Sequence, residues 1–270
     1  LLVFSSASAD ARLHAAHSAL APVAQHPRIT IIGASRGAAD DFARRLASEA
    51  ASTFGIARFS LTQFAARTAL LTLARQGSTP STSLVTEAVS TRAAFDAAQA
   101  ATLGYFGAVA RTPGFPRALA RTLGELRGAD LNATAVQPVS RVGADLARLL
   151  EHFERAIADA GTSDRAHLFQ VATMCLLSSH PGGTFVLLDV PVLDRVERRL
   201  VEAILGGAAT VVATIPPGDD TEAMFLSQGA TIDPGPDESD GDLARLRRYL
   251  FVADATPGRR TLDGSLELFS

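Results

Sequence analysis

The chain has 270 residues, 47% hydrophobic and 20% charged, which suffices for one large globular unit or two smaller ones with an ample core. Its net charge of −3 gives no general attraction to a phosphate backbone, so nucleic-acid binding would need a local patch. One cysteine, Cys175, excludes a disulfide framework and fits a reducing cytoplasm; with only six scattered histidines beside it, a structural zinc site is not expected.

In chain order, Leu1 in place of an initiating methionine reads as the start of a fragment. No charged-then-apolar leader follows, and no apolar run approaches the ~20 residues of a bilayer span, so no membrane partner is expected. Leu1–Ser5 (LLVFS) is a short apolar run, and Ala9–Leu20 is alanine-rich with Leu13 and Leu20 at helical spacing. The β-branched Arg28–Ile32 (RITII) predicts a strand, Gly33–Gly37 (GASRG) a turn, and Ala38–Ala51 an amphipathic helix on Phe42 and Leu46. Ile56–Leu61 (IARFSL) is a further strand leading into a helix through Ala74. This βαβαβ order argues for a parallel sheet.

The texture changes at Gly77. Gln76–Ser83 (QGSTPSTS) reads as a linker, and from Leu84 to about Leu177 only helical patterns occur, broken at 112–116, 131–139 and 161–163. Leu146, Leu149, Leu150, Phe153 and Ile157 form a stripe of helix core. After His180–Gly183 the strand signal returns: Thr184–Val190 (TFVLLDV) and Ala209–Ile215 (ATVVATI) read as buried parallel strands around a helix at 195–205. Ile232–Gly241 is expected to be an acidic loop, Leu243–Phe251 a short arginine-rich helix, and Ser265–Phe269 a last strand. The sheet-forming parts therefore flank a helical stretch.

All 25 basic residues are arginine. Without lysine there is no Schiff base, no lysine general base and no ammonium to reach a terminal phosphate. The segment Ile31–Gly37 (IIGASRG) then admits three readings. Gly33–Gly37 matches the G-x-S-x-G of a nucleophile elbow, but no histidine follows His180 to complete a triad. It also has the form of a glycine-rich dinucleotide turn for NAD(P), with pyrophosphate at the following helix N-terminus; the tyrosine–lysine pair of short-chain dehydrogenases cannot exist here, and Tyr105 and Tyr249 are read as helical. The third reading is a plain strand-to-helix turn within a helicase-like lobe.

On that third reading several stretches fall in order. RITIIGASRGAADDFARRLA, IARFSLTQFAART, the helical stretch Leu84–Leu177, VLLDVP, VVATIPPGDD and SLELFS together resemble the N-terminal part of AddB-type subunits of bacterial helicase–nucleases, a UvrD-like helicase fold with decayed ATPase motifs. The resemblance covers nearly the whole chain. It implies an α/β, P-loop-NTPase-like (RecA-like) parallel sheet made of residues 1–76 and 162–264, a helical insertion subdomain at 77–161, and at 265–270 the start of a following lobe. It further implies a non-catalytic scaffold for double-strand-break repair that guides single-stranded DNA and supports a motor helicase–nuclease partner subunit.

The resemblance places DNA contacts at Ser35, Arg36, Phe59, Ser60, Thr62 and Gln63, where hydroxyls, an amide, an arginine and helix-start amides can position phosphates and an aromatic can stack a base. A degenerate nucleotide site falls on Ser5, Ser6, Ser8 and Asp189. Phe4–Arg12 (FSSASADAR) lacks the Gly-Lys-Thr/Ser core of a phosphate loop, and Val190 follows Asp189 where a glutamate would activate water. Without metal partners, Asp189 reads first as a strand-end carboxylate that caps a neighbouring turn, ahead of a remnant metal ligand. Neither a metal nor a cofactor is expected; the PD-(D/E)XK-type nuclease domain that the resemblance implies, far C-terminal and usually carrying an iron–sulfur cluster, would need cysteines this chain lacks.

Overall fold

A computed structural model of the chain describes residues 1–20, 28–49, 55–234 and 241–249, with the isolated positions 258, 261, 263, 264 and 266. In chain order the elements are β1 (Leu2–Ser5), α1 (Ala9–Leu20), β2 (Ile29–Gly33), α2 (Arg36–Glu49), β3 (Ile56–Ser60) and α3 (Leu61–Arg75). They continue with β4 (Thr79–Pro80), α4 (Ser83–Gln99), α5 (Phe115–Gly128), α6 (Ala133–Val136), α7 (Gly143–Asp159), β5 (Thr162–Ser163) and α8 (Arg165–Ser179). The last are β6 (Thr184–Leu188), α9 (Arg195–Gly207), β7 (Thr210–Ile215), α10 (Glu222–Ser227), β8 (Thr231–Asp233) and α11 (Asp242–Tyr249). Two compact units result: Leu1–Leu61, Pro181–Pro191 and Ala208–Ser270 form the first, Thr62–His180 and Val192–Gly207 the second.

The first unit is an α/β body on a six-stranded sheet ordered β3-β2-β6-β7-β1-β8, with every described pairing parallel. Parallel strands need both faces covered, so their sequences run apolar without alternation; all five residues of β6 are buried. Ala16 and Leu20 of α1 and Ala39, Phe42, Ala43 and Leu46 of α2 pack on Ile29, Ile31, Val186, Leu188 and Val212. Ile31, Val186 and Val212 lie one above another at i, i+2 spacing with Ile29 and Leu188, as side chains of one sheet face must.

The second unit is helical. Val89, Ala93 and Ala97 of α4, Leu119 and Leu123 of α5, and Leu149, Leu150, Phe153 and Ile157 of α7 share one core. Thr82, Asn132 and Asp164 start α4, α6 and α8 by accepting an amide with their side chains, the usual satisfaction of an orphan N–H. Two arginine-centred clusters tie the helices together. Arg127 donates to Asp164 at Oδ2 (2.5 Å) and to Glu154, and Arg165 lies over Phe169 while pairing with Asp194 and Glu197.

Four sequence expectations change. The sequence predicts only a break in helical chain at 161–163; instead β5 pairs with β4, fixed by the Thr79 amide on the Gly161 carbonyl (3.1 Å) and the Ser81 amide on the Ser163 carbonyl (2.8 Å). Leu146 is half-buried while Asp145 and Ala147 are buried, because the helix face turns toward a neighbouring loop. Tyr105 lies in the irregular connection between α4 and α5 rather than in a helix, with Arg141 over its ring. Ile232 and Asp233, expected in an acidic loop, form the edge strand β8 beside β1. The strand expected at 265–269 falls mostly outside the described residues, as do 235–240 of the acidic loop and the end of the arginine-rich helix beyond Tyr249.

Candidate functional site

In a parallel sheet all strands deliver their carboxyl ends to one edge, where ligands of open α/β folds bind. At that edge β1 ends at Ser5 and α1 begins at Ala9, leaving only Ser6, Ala7 and Ser8 as the connecting turn. The turn is closed on itself. The Ser8 amide donates to Ser6 Oγ (3.2 Å), the Ala11 amide to Ser8 Oγ (3.4 Å) and the Arg12 amide to the Ser8 carbonyl (3.1 Å). Three of the expected nucleotide-site residues are thus brought together, but as a capped helix start.

Arg12, one turn into α1, is 7% exposed. Its Nε and Nη2 donate to Asp189 Oδ1 and Oδ2 at 3.0 and 2.8 Å, and its Nη1 donates to the Ser6 carbonyl. This side-on fork is the strongest geometry an arginine and a carboxylate adopt. Asp189 follows β6 with φ of 47°, in the left-handed region that aspartate tolerates better than most residues. Thr214 of β7, itself buried, donates through Oγ1 to Asp189 Oδ1 (2.7 Å), and the Asp189 amide donates back to Thr214 Oγ1 (3.0 Å) and to its carbonyl (3.1 Å). Since β7 lies between β1 and β6, one cluster spans three interior strand ends.

The expected DNA contacts distribute over two places. Gly33 and Ser60 are register partners at the ends of β2 and β3, so Ser35 and Arg36 leave the sheet beside the half-buried Phe59 and Ser60. Thr62 and Gln63 are exposed on the first turn of α3 and belong to the second unit. Ser35 caps α2, its Oγ accepting the Ala38 amide at 3.1 Å. Arg36 donates from Nε to both oxygens of Asp40 at 3.1 Å, and Arg58 approaches the same carboxylate at 3.4 Å. One aspartate thus offsets two arginines at the edge.

No protein-family model matches the chain, and no curated protein matches it.

Gly33 makes the β2–α2 turn possible. A Cβ there would stand 2.8 Å from the Ser35 carbonyl oxygen and 2.9 Å from the Ala39 nitrogen, distances that real side chains do not adopt. Ala39, occupying the third position of the glycine pattern, is fully buried under the strand. Among the described residues, no three histidine, cysteine or acidic side chains converge as metal ligands, and no helix is long and apolar enough to cross a membrane.

Sequence reasoning missed Arg12 and Thr214. A signal existed for the first: in a chain without lysine, a lone carboxylate ending an interior strand needs a counter-charge, and Arg12 is the first basic residue, one turn past β1. Nothing in the sequence distinguishes Thr214 from any other strand threonine.

Proposed function

We propose that the chain is a non-catalytic, RecA-like lobe with a helical subdomain, serving a double-strand-break repair helicase–nuclease by guiding single-stranded DNA and supporting a motor partner. The observation that carries this reading is Arg12 on Asp189. A triphosphate with magnesium needs open backbone amides, an ammonium group and an accessible carboxylate. Here the turn amides of Ser8 and Ala11 are capped and the carboxylate is engaged by an internal guanidinium. A parallel sheet with β7 lying between β1 and β6 is compatible with a RecA-like order, and the ordered series of helicase-like stretches supports the same assignment.

Single-strand binding tests the DNA half of the proposal. A labelled oligonucleotide of about 20 nucleotides should bind and weaken as salt rises from about 50 to 200 mM. Ser35→Ala, Arg36→Ala and Thr62→Ala should each reduce that affinity. Absence of binding at low salt overturns it. Magnesium-dependent ATP turnover by the purified chain would overturn the non-catalytic half.

The close β2–α2 turn at Gly33 favours a second reading, an NAD(P)- or nucleotide-binding protein of the Rossmann type using Gly33–Gly37. The start of α2, where Arg36 and Gly37 are exposed although Ser35 Oγ already holds the Ala38 amide, is a helix terminus, the kind of place that holds a pyrophosphate. Thermal shift separates the two, since a ligand that binds only the folded state raises its melting temperature: NADP stabilises under this reading, an oligonucleotide under the first.

A further inference from the structure

We propose that the Arg12 side chain is a built-in cationic ligand that latches the carboxyl edge of the sheet shut. This rests on the reading of that edge as a former nucleotide site. Arg12 and Asp189 are 177 positions apart in sequence, yet the guanidinium uses three donors there, two on the carboxylate and one on the Ser6 carbonyl. It therefore joins the turn after β1 to the end of β6. Thr214, between them, completes the cluster through its hydroxyl and carbonyl. A metal-bound nucleotide joins the same two strand ends in an active NTPase; the latch does so permanently and without any external ligand. The left-handed Asp189 backbone is a strained geometry, of the kind that persists only where its surroundings over-determine it, and the guanidinium supplies two of those restraints.

A latch of this type leaves a cavity of defined chemistry when its side chain is cut back: one carboxylate, one hydroxyl and one carbonyl, arranged for a planar fork. Methylguanidinium chloride should fill it. The 270-residue chain and its Arg12→Ala variant are melted with and without about 20 mM methylguanidinium, against sodium chloride and magnesium chloride at matched ionic strength. R12A is expected to melt on the order of 5–10 °C lower and to regain about 2 °C with methylguanidinium. Wild type and the R12A/D189N double variant should regain nothing. Magnesium should also fail, because a single carboxylate is a poor site for a hard, near-octahedral dication.

Equal rescue of all three proteins, no rescue of R12A, or better rescue by magnesium overturns the latch. If R12A does not fold, Arg12→Lys decides: an ammonium cannot span both carboxylate oxygens, so R12K should melt below wild type, and an unchanged melting temperature overturns the fork. Loss of methylguanidinium rescue leaves the DNA-guiding role untouched, whereas failure to bind oligonucleotides leaves the latch standing.

Discussion

Gly33 and Gly37 look alike in the sequence and differ in what surrounds them. A methyl at Gly33 meets backbone atoms at 2.8 and 2.9 Å, whereas the nearest heavy atom to one at Gly37 is Ser35 Oγ at 3.7 Å. Gly33→Ala should therefore cost about 1–3 kcal/mol, by forcing the strand away from the helix. Gly37→Ala should be neutral or stabilise by up to about 1 kcal/mol, since alanine favours the helix and restricts the unfolded chain. Urea unfolding of both variants checks the contrast; equal losses would show that the turn is looser than its geometry. The residue scale is also where the sequence was least legible. That Asp189 is bound depends on Arg12, 177 positions away, to which only the lack of lysine pointed, and on Thr214, which carries no local mark of the encounter.

At the scale of elements, the connection between α4 and α5 shows how one side chain organises an irregular segment. Asp145, buried at the start of α7, accepts the amides of Gly104 (3.1 Å), Tyr105 (2.8 Å) and Phe106 (2.9 Å). Burial pushes its carboxyl up, but the three amides together with Arg148 outweigh this and hold it below the ordinary carboxylate range. A depressed folded value means stability that is present above the unfolded value of about 3.9 and lost as pH falls through the folded one. Asp145→Asn should cost roughly 1–3 kcal/mol at neutral pH and flatten the acid limb of the stability curve. Urea midpoints measured at several values below pH 5 read this directly; parallel curves for the two proteins would remove Asp145 from the acid response. The sequence placed the helices on either side of this segment because their apolar spacing is periodic. It cannot place the segment itself, which has no period, and so it assigns Tyr105 to a helix that the fold does not form there. The strands were legible for the opposite reason. Thr184–Leu188 and Thr210–Ile215 are continuous apolar runs that few other structures accommodate, whereas the three residues of β8, with only Ile232 half-buried and an aspartate at the end, carry no strand signal apart from their neighbour β1.

At the scale of the molecule, an α/β architecture on a parallel sheet follows from the alternation of apolar runs and helices, while the pairing of Arg12 with Asp189 at the sheet edge emerges only in the folded chain. Electrostatics bear on the proposed DNA role at this scale. The net charge is −3, and Arg36 and Arg58 share Asp40, so any attraction for a strand is local and shallow in its salt dependence. Asp40→Asn should free both arginines. If the β2 and β3 ends touch DNA, this variant should bind a single strand several-fold more tightly, with a steeper dependence on salt. Unchanged affinity would move the contact elsewhere.

The pairing of β1 also has a consequence for synthesis on the ribosome. Leu2 lies beside Val212 and Thr231, and among the described residues the sheet has only parallel ladders, which supply no hairpin that could nucleate locally. At about 5–20 residues per second, an interval of roughly 10–40 s separates emergence of β1 from translation of its nearest partner. During that time an apolar segment has nothing to pair with and is open to chaperones or to misassembly. Nascent chains stalled before Thr210 should be cut by protease near Leu2–Ser5, and chains released after Asp233 should resist.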